Sequence, residues 1–313
     1  MKFPFATPVP GGAPSARANI RPCPVGYSSS AVRRFPLNKD GRDFVVGDLH
    51  GSYGLLWAAL VSVDFSFGRD RLFCVGDLAD RGRRSTDVVP FLRWLDKGAG
   101  GSVRGNHEAL LVDLYTGRMP PFHQEQRVLG KNGMSWLLGL DLEERLTIAN
   151  AFAALPLAIE IEAPCGTVGI VHADVPSGMS WGQFTSILDQ GERNDDFADA
   201  AESALWSRLR IGRGIRRHVA GIEAVFVGHS MIEEPFTLGN VHFIDTGAVC
   251  GDLAQDPQLG VLSMVEITGI PSGGMASFSV AAHSRTFLPN HAAQAGAEGA
   301  PWLRGQPRTG GPE

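Results

Sequence analysis

Apolar and polar positions alternate along the middle of the chain in a way that predicts strands and helices in turn. Short apolar runs of strand length are followed by stretches in which apolar residues recur with helical spacing. This pattern predicts strands at 44–48, 71–77 and 102–106, each followed by a helix, at 53–63, 85–97 and 108–115. Pro90 falls inside the second of these helices, where it predicts a kink or a late start.

The second half of the chain is richer in strands. After a helical stretch at about 124–154, strands are predicted at 157–163, 167–173, 224–230, 241–247, 260–267 and 275–281, with mixed helix and loop at 181–219. Strand–helix units followed by strand-rich units predict an α/β fold in one domain, with two sheets packed together and helices outside.

The two ends of the chain differ from the middle in composition. Residues 1–40 are rich in Pro, Gly, Ser and Ala and lack periodicity, and residues 283–313 are rich in Gly, Ala and Pro. Such composition is typical of disordered segments. We therefore predict a disordered arm at 1–40, a folded catalytic domain at 41–282 and a disordered tail at 283–313.

Composition narrows the class of protein. Of the 313 residues, 43% are hydrophobic and 19% are charged, and the net charge is −5, so the basic excess of a nucleic-acid binder is absent. No apolar run reaches the length of a membrane span, and the N-terminus lacks the apolar segment of a signal peptide. The four cysteines form no C-x-x-C pair, which argues against a zinc knuckle or a disulfide framework. We predict a cytoplasmic protein without nucleic-acid or membrane partners; the oligomeric state stays open.

Polar clusters, most of them containing Gly, follow several of the predicted strands. The motifs are GDLHG (47–51), GDLADRG (76–82), RGNHE (104–108), IVHAD (170–174) and VFVGHS (225–230). Groups just past the carboxyl ends of parallel strands converge on one crevice. We therefore expect these side chains to meet: Asp48, His50, Asp77, Asn106, His107, His172 and His229.

Carboxylate, imidazole and amide groups together suit Mn²⁺, Fe²⁺ or Zn²⁺ in a catalytic site. Six ligands drawn from these seven side chains exceed the need of one ion with an open position but suffice for two ions that share a carboxylate. Two ions about 3.5–4 Å apart hold a water, lower its pKa and clamp the oxygens of a phosphoryl displacement. The sequence thus predicts a dinuclear phosphoesterase centre.

The same motifs, in this order and spacing, resemble the signature series of the PPP-type metallophosphoesterases, the serine/threonine protein phosphatases and their bacterial and phage relatives. LWSR (205–208) and IDTGAVCG (244–251) are more similar to the bacteriophage lambda phosphatase branch. The resemblance covers about 41–267 and implies a calcineurin-like β-sandwich of two mixed sheets flanked by helices. It implies two divalent metal ions, with Mn²⁺ favoured and Fe²⁺ or Zn²⁺ as alternatives.

The resemblance also implies a role for each matching residue. Asp48 and His50 would bind one metal, Asp77 would bridge both, and Asn106, His172 and His229 would complete the second. His107 would be the general acid with Asp80 as its orienting partner, and Arg81 and Arg208 would hold phosphate oxygens. Nearby, we expect Glu108 to support Asn106 or its turn and Asp245 to bond a ligand histidine. We expect Arg210, Arg213, Arg216 and Arg217 to form a solvated basic face, with the alternative that one of them takes the place of Arg208.

Three functions fit these residues. The first is a phosphomonoesterase that hydrolyses phosphoserine and phosphothreonine, and by extension phosphotyrosine, in proteins by direct attack of a hydroxide that bridges the metals. The second uses the same site as a diadenosine tetraphosphate hydrolase. The third is an inactive phosphate-binding module, which the complete ligand set and both arginines argue against.

Overall fold

The computed structural model describes residues 30–115, 129–256, 259–268, 280–284 and 300–301. The strands, in chain order, are β1 (Val32–Phe35), β2 (Asp43–Val46), β3 (Arg71–Cys74), β4 (Gly100–Ser102), β5 (Ala158–Ala163), β6 (Gly166–Val171), β7 (Ala224–Val227), β8 (Phe236–Leu238), β9 (Val241–Phe243), β10 (Leu262–Glu266) and β11 (Val280–Ser284). The α-helices with both ends inside these ranges are α1 (Tyr53–Ser62), α2 (Val88–Trp94), α3 (Asn106–Tyr115), α4 (Leu142–Ala153), α5 (Trp181–Gln190), α6 (Phe197–Trp206), α7 (Leu209–Arg213) and α8 (Cys250–Ala254).

The strands form two mixed sheets. One has the order β11-β10-β2-β3-β4, in which β2, β3 and β4 run parallel. The other has the order β1-β5-β6-β7-β9-β8, in which β6, β7 and β9 run parallel. Each sheet therefore has a set of three parallel strands whose carboxyl ends share one edge.

Alternating side chains place the apolar residues of each sheet in two cores. In β2, Val45 joins the core between the two sheets, whereas Phe44 and Val46 face a core shared with α1 and α2. The second sheet is covered on its outer face by α5 and α6. The predicted architecture, two packed sheets with helices outside, is confirmed.

The folded region begins earlier than predicted. Residues 32–35 form β1, which pairs in parallel with β5, so the predicted arm at 1–40 is wrong over this strand. At the other end, β11 continues to Ser284, into the predicted tail, and Ala300 is buried against the core of the first sheet. The rest of both predicted segments lies outside the described residues.

Two helical predictions need adjustment. Residues 85–87 form a 3-10 turn and α2 begins at Val88, so Pro90 lies in the first helical turn, where its missing N–H costs nothing. The stretch predicted as helical at 124–154 contains a 3-10 segment, Ser135–Gly139, and then α4, which Asp141 and Glu144 begin with a capping box.

The strand predicted at 275–281 is described from Val280 onward, because 269–279 lie outside the described residues. Within the described part of the chain, no helix is both long and apolar enough to span a membrane.

Candidate metal centre

The carboxyl edges of the two sets of parallel strands meet at one end of the sandwich. Asp48 and His50 follow β2, Asp77 follows β3 and Asn106 opens α3 after β4. From the other sheet, His172 follows β6 and His229 follows β7. All six predicted metal ligands are buried, and the hydrogen bonds described below bring them together.

Glycines leave the space that this convergence needs. A Cβ at Gly228 would lie 1.9 Å from Asp48 Oδ1, and one at Gly105 would lie 2.2 Å from Asp77 Oδ1. The turns themselves put Asp77 and His229 at φ angles of 49° and 64°, in the left-handed region. Strained non-glycine residues held by tight packing are typical of functional sites.

Asp77 lies at the centre of the cluster. Its Oδ2 is 3.4 Å from His50 Nε2, and its Oδ1 is 3.5 Å from His172 Nε2. Burial raises the pKa of Asp77, but the imidazoles of His172, His107 and His50 more than offset this, so its pKa is below the ordinary value. Asp77 is therefore an anion placed to bridge two cations.

Glu108 supports the loops that carry the ligands. Its buried carboxylate accepts hydrogen bonds from the backbone N–H groups of Asp77 (2.9 Å), Leu78 (2.8 Å) and Gly105 (2.7 Å). Burial and the Asp77 carboxylate raise the pKa of Glu108 to about 7. The predicted supporting position of Glu108 is confirmed, and it ties the loop after β3 to the loop after β4.

Two acceptor atoms, one from His172 and one from Asn106, face each other without a hydrogen to share. His172 Nδ1–H donates to the Val75 carbonyl at 2.8 Å, so in the neutral ring Nε2 carries a lone pair. That Nε2 lies 2.8 Å from Asn106 Oδ1, which is also an acceptor. Burial lowers the pKa of His172 and favours the neutral ring. Converging lone pairs of this kind fit a divalent cation.

His229 leads to the same conclusion. Its Nδ1 lies 2.9 Å from the same Asn106 Oδ1. Burial, with His172 and Arg208 nearby, lowers its pKa to about 3 and favours the neutral ring. In the neutral ring, Nδ1 is the atom that a cation bound at Asn106 Oδ1 would reach.

Asp48 adds negative charge to this group. Its carboxylate accepts from the His229 backbone N–H, at 3.1 and 3.3 Å. Burial, together with the carboxylates of Asp245 and Asp77, raises the pKa of Asp48 well above its ordinary value. The surplus of buried carboxylate again suits bound cations.

Asp245 does not bond a ligand histidine, so that expectation is wrong. Its Oδ1 accepts from the Gly247 N–H at 3.1 Å, and backbone carbonyls take the role predicted for it. Val75 accepts from His172, and the Ala79 carbonyl lies 2.9 Å from His50 Nδ1. These bonds leave the Nε2 atoms of His50 and His172 facing the site.

His107 and Asp80 form the predicted pair. His107 Nδ1 lies 2.7 Å from Asp80 Oδ2, and both residues are buried. Burial lowers the pKa of His107, but the carboxylates of Asp77 and Asp80 raise it by more, so its pKa lies above the ordinary value. The other Asp80 oxygen accepts from the indole N–H of Trp136 at 2.8 Å, a contact that no local sequence motif indicates.

Arg81 spans two imidazoles. Its guanidinium donates to His50 Nε2 at 2.7 Å and to His107 Nε2 at 2.6 Å. Arg81, which is predicted to hold phosphate, therefore contacts two of the candidate ligand side chains. Its N–H groups lie on the Nε2 atoms that face the site.

Arg208 also lies at the site, where its Nη2 donates to the His229 carbonyl at 3.0 Å. The prediction for Arg210 is wrong, because this residue is buried. Its Nε donates to Asp174 Oδ1 at 2.8 Å, and its Nη1 donates to the Arg217 carbonyl at the same distance. Arg210 therefore joins the start of α7 to the loop that carries His172.

Among the residues that the structure describes, two groups of side chains could each hold a cation, and Asp77 belongs to both. One group is His50, Asp77 and His107, and the other is Asp48, Asp77 and His172. The shared carboxylate fits a dinuclear centre. The sequence predicts His107 to be an acid rather than a ligand, and its position in the first group makes its metal dependence a point to test.

Comparison with known proteins agrees with this arrangement. Residues 44–242 match the model of the calcineurin-like phosphoesterase family. The serine/threonine-protein phosphatase 2 of Salmonella typhimurium is 30% identical over 227 residues, which cover 70% of this chain and 94% of that protein. The symmetrical bis(5'-nucleosyl)-tetraphosphatase of Enterobacter sp. is 35% identical over 122 residues, which cover 34% of this chain and 42% of that protein.

Among solved structures, a protein serine/threonine phosphatase from Saccharomyces cerevisiae aligns with a TM-score of 0.52 at 17% identity, covering 77% of each chain. At this identity the likeness concerns the fold. The family match, the Salmonella relative and the paired ligand groups agree, and the chain belongs to the calcineurin-like phosphoesterases, as a metal-dependent phosphatase.

Proposed function

We propose that this phosphatase removes phosphate from phosphoserine and phosphothreonine in proteins, with phosphotyrosine as a further substrate. The observation that carries the proposal is the placement of Arg81 on His50 and His107, at the candidate ligands themselves. A guanidinium there, with Arg208 at His229, suits the dianion of a terminal phosphate better than the monoanion of a diester. The name of the Salmonella relative supports the same substrate class.

The residues fit two divalent ions. One ion would be held by Asp48, His50 and Asp77. The other would be held by Asp77, Asn106, His172 and His229. We propose Mn²⁺ for both. When bound, the two ions would supply an activated water and neutralise charge on the phosphate.

Besides the metal ligands, Arg81 would bind the phosphate and His107 would donate a proton to the leaving group. A phosphate oxygen that accepts from Arg81 would draw the guanidinium away from the imidazoles. His107 Nε2 would then be free to hold a proton and give it to the leaving alkoxide oxygen as the P–O bond breaks, while Asp80 keeps Nδ1–H in place. General acid catalysis of this kind is typically worth about 10²–10⁴-fold in rate.

A second candidate uses the same residues on a dinucleoside tetraphosphate. The likeness to the Enterobacter tetraphosphatase favours it, although that likeness covers 34% of this chain. Both candidates need the metal ligands and Arg81. They differ in the groups that surround the reacting phosphorus.

The deciding experiment compares kcat/KM of chelator-treated, Mn²⁺-reconstituted protein on a phosphothreonine peptide and on diadenosine tetraphosphate. We expect a strong preference for the peptide. A strong preference for the dinucleotide would overturn the proposed substrate and favour the second candidate. Turnover of neither would overturn both.

A variant tests the assignment of His107. His107→Asn should lower kcat by about 10²–10⁴-fold, the value of a general acid, while the protein still binds two metal ions per chain by elemental analysis. Loss of metal from this variant would reassign His107 as a ligand.

A further inference from the structure

The segment Leu129–Gly139 lies against the turn that carries Asp80 and Arg81. Three of its apolar side chains, Leu129, Met134 and Leu137, are buried in the core beside the first sheet. Backbone hydrogen bonds from Met134 to Leu129 (2.7 Å) and from Leu137 to Met134 (3.1 Å) make it a compact loop. The segment is therefore held in place by core packing and by its own backbone hydrogen bonds.

Two hydrogen bonds join this loop to the Asp80–Arg81 turn. The Gly133 carbonyl accepts from the Arg81 backbone N–H at 2.8 Å, and the half-buried Trp136 donates its indole N–H to Asp80 Oδ1 at 2.8 Å. The fit is close, because a Cβ at Gly133 would lie 2.6 Å from Arg81 Cγ. Asp80 and Arg81 have φ angles of 75° and 67°, so the turn needs support from outside.

We propose that Trp136 is a positioning residue that holds Asp80, and through it His107, in the orientation for proton donation. Asp80 uses one oxygen for His107 Nδ1 and the other for the Trp136 indole, and these two bonds set the plane of its carboxylate. With that plane fixed, His107 Nε2 points at the candidate metal ligands. The inference rests on the proposed function of His107 as general acid, whichever phosphate ester the enzyme uses.

The chain offers a matched control for the chemistry of this bond. Trp181 donates its indole N–H to Glu160 Oε1 at 2.7 Å, on the outer face of the second sheet. Trp181→Phe removes the same kind of indole–carboxylate bond without touching Asp80 or His107. Because Trp181 is buried, the change removes packing as well as the bond, so it measures whether such a loss away from Asp80 alters the selectivity between esters.

The experiment compares two small phosphate esters on reconstituted protein. The phenolate of p-nitrophenyl phosphate leaves without a proton, whereas the more basic phenolate of phenyl phosphate gains from an acid. Trp136→Phe keeps an aromatic side chain, smaller than the indole, and loses the N–H donor. We expect kcat on phenyl phosphate to fall about tenfold, a part of the 10²–10⁴ that general acid catalysis supplies, with kcat on p-nitrophenyl phosphate and both KM values within about twofold.

Other outcomes are equally decisive. Unchanged kcat in Trp136→Phe, or an equal loss on both esters, would overturn the positioning role, as would the same selective loss in Trp181→Phe. If wild-type protein cleaves both aryl esters but not a phosphothreonine peptide, the proposed substrate fails while the role of Trp136 is still tested. If it cleaves neither ester, the positioning role as stated here fails, and the comparison of the phosphothreonine peptide with the dinucleotide alone decides the proposed substrate.

A second readout does not depend on catalysis. In protein labelled with ¹⁵N-tryptophan, the six indole N–H groups give separate signals. We expect the Trp136 signal to exchange slowly with solvent and to exchange at least tenfold faster in Asp80→Ala. Fast exchange in the wild-type protein would overturn the bond itself.

Discussion

Glu108→Gln tests how the ligand loops are held together. Glu108 is fully buried, and its two oxygens accept three backbone N–H bonds, two at Oε2 and one at Oε1. Glutamine has a single acceptor oxygen, so its best orientation keeps the bonds from Asp77 and Gly105. The Leu78 N–H then faces an NH₂ group, and two donors are left without an acceptor.

The magnitude follows from those two donors. Each buried unsatisfied donor costs about 1–3 kcal/mol, so the free energy of unfolding should fall by about 2–6 kcal/mol. In a domain of this size, each kcal/mol lowers Tm by about 2–4 °C, which predicts a drop of about 4–24 °C. The measurement is best made on Mn²⁺-reconstituted protein at about pH 8, where the side chain is a carboxylate and the bound cations would offset the repulsion from Asp77 that, with burial, raises its pKa to about 7.

Thermal unfolding followed by circular dichroism gives the answer. Glu143→Gln is the control, because Glu143 is exposed in the first turn of α4 and its replacement should move Tm by about 2 °C or less. Metal affinity should weaken by about 10–100-fold in Glu108→Gln, since the loops of Asp77 and Asn106 lose their tie. A Tm within about 1 °C of the wild type would refute the reasoning.

Three further predictions concern other parts of the fold. Gly228→Ala places a Cβ 1.9 Å from Asp48 Oδ1, so elemental analysis should find fewer than two metal ions per chain; full occupancy would contradict the packing argument. Arg210→Met leaves Asp174 buried without its partner, which should cost about 3–5 kcal/mol in urea unfolding. Adding Asp174→Leu should recover at least half of that loss, and no recovery would contradict the ion-pair account. His242 has its pKa lowered to about 4 by burial, so the unfolded chain binds its proton first, and stability falls as pH drops from about 6.5 to 4, by about 3 kcal/mol in all. His242→Gln should remove that part of the acid sensitivity in urea unfolding between pH 7 and pH 4, and an unchanged slope would count against it.

The ligand cluster is predictable from the sequence because its signal is local. Each polar motif follows an apolar strand, and parallel strands bring their carboxyl ends to a common edge. The strand pattern alone therefore places Asp48 and His50 with His172, although more than a hundred residues separate them in the chain. The two-sheet architecture follows from the same runs of apolar residues.

The features that the sequence does not reveal depend on distant partners. Trp136 and Asp80 are 56 residues apart, and no motif surrounds the tryptophan. Arg210 resembles its exposed neighbours until Asp174, 36 residues earlier, is seen beside it. Strand Val32–Phe35 contains two consecutive arginines, so its apolar pattern is too short to indicate a strand. It forms at the sheet edge by pairing with β5, which is distant in the chain.

The position of the site across both sheets has a consequence for the lifetime of the folded state. Three of the ligand-bearing turns belong to one sheet and two to the other, so the cation held by Asp77, Asn106, His172 and His229 would join the two sheets at this end of the sandwich. At a free concentration a hundred times its Kd, one such ligand adds about 2.7 kcal/mol to the stability of the assembled state. Local opening between the sheets and loss of metal would then be a single event, and resistance to proteolysis would rise and fall with the supply of the ion.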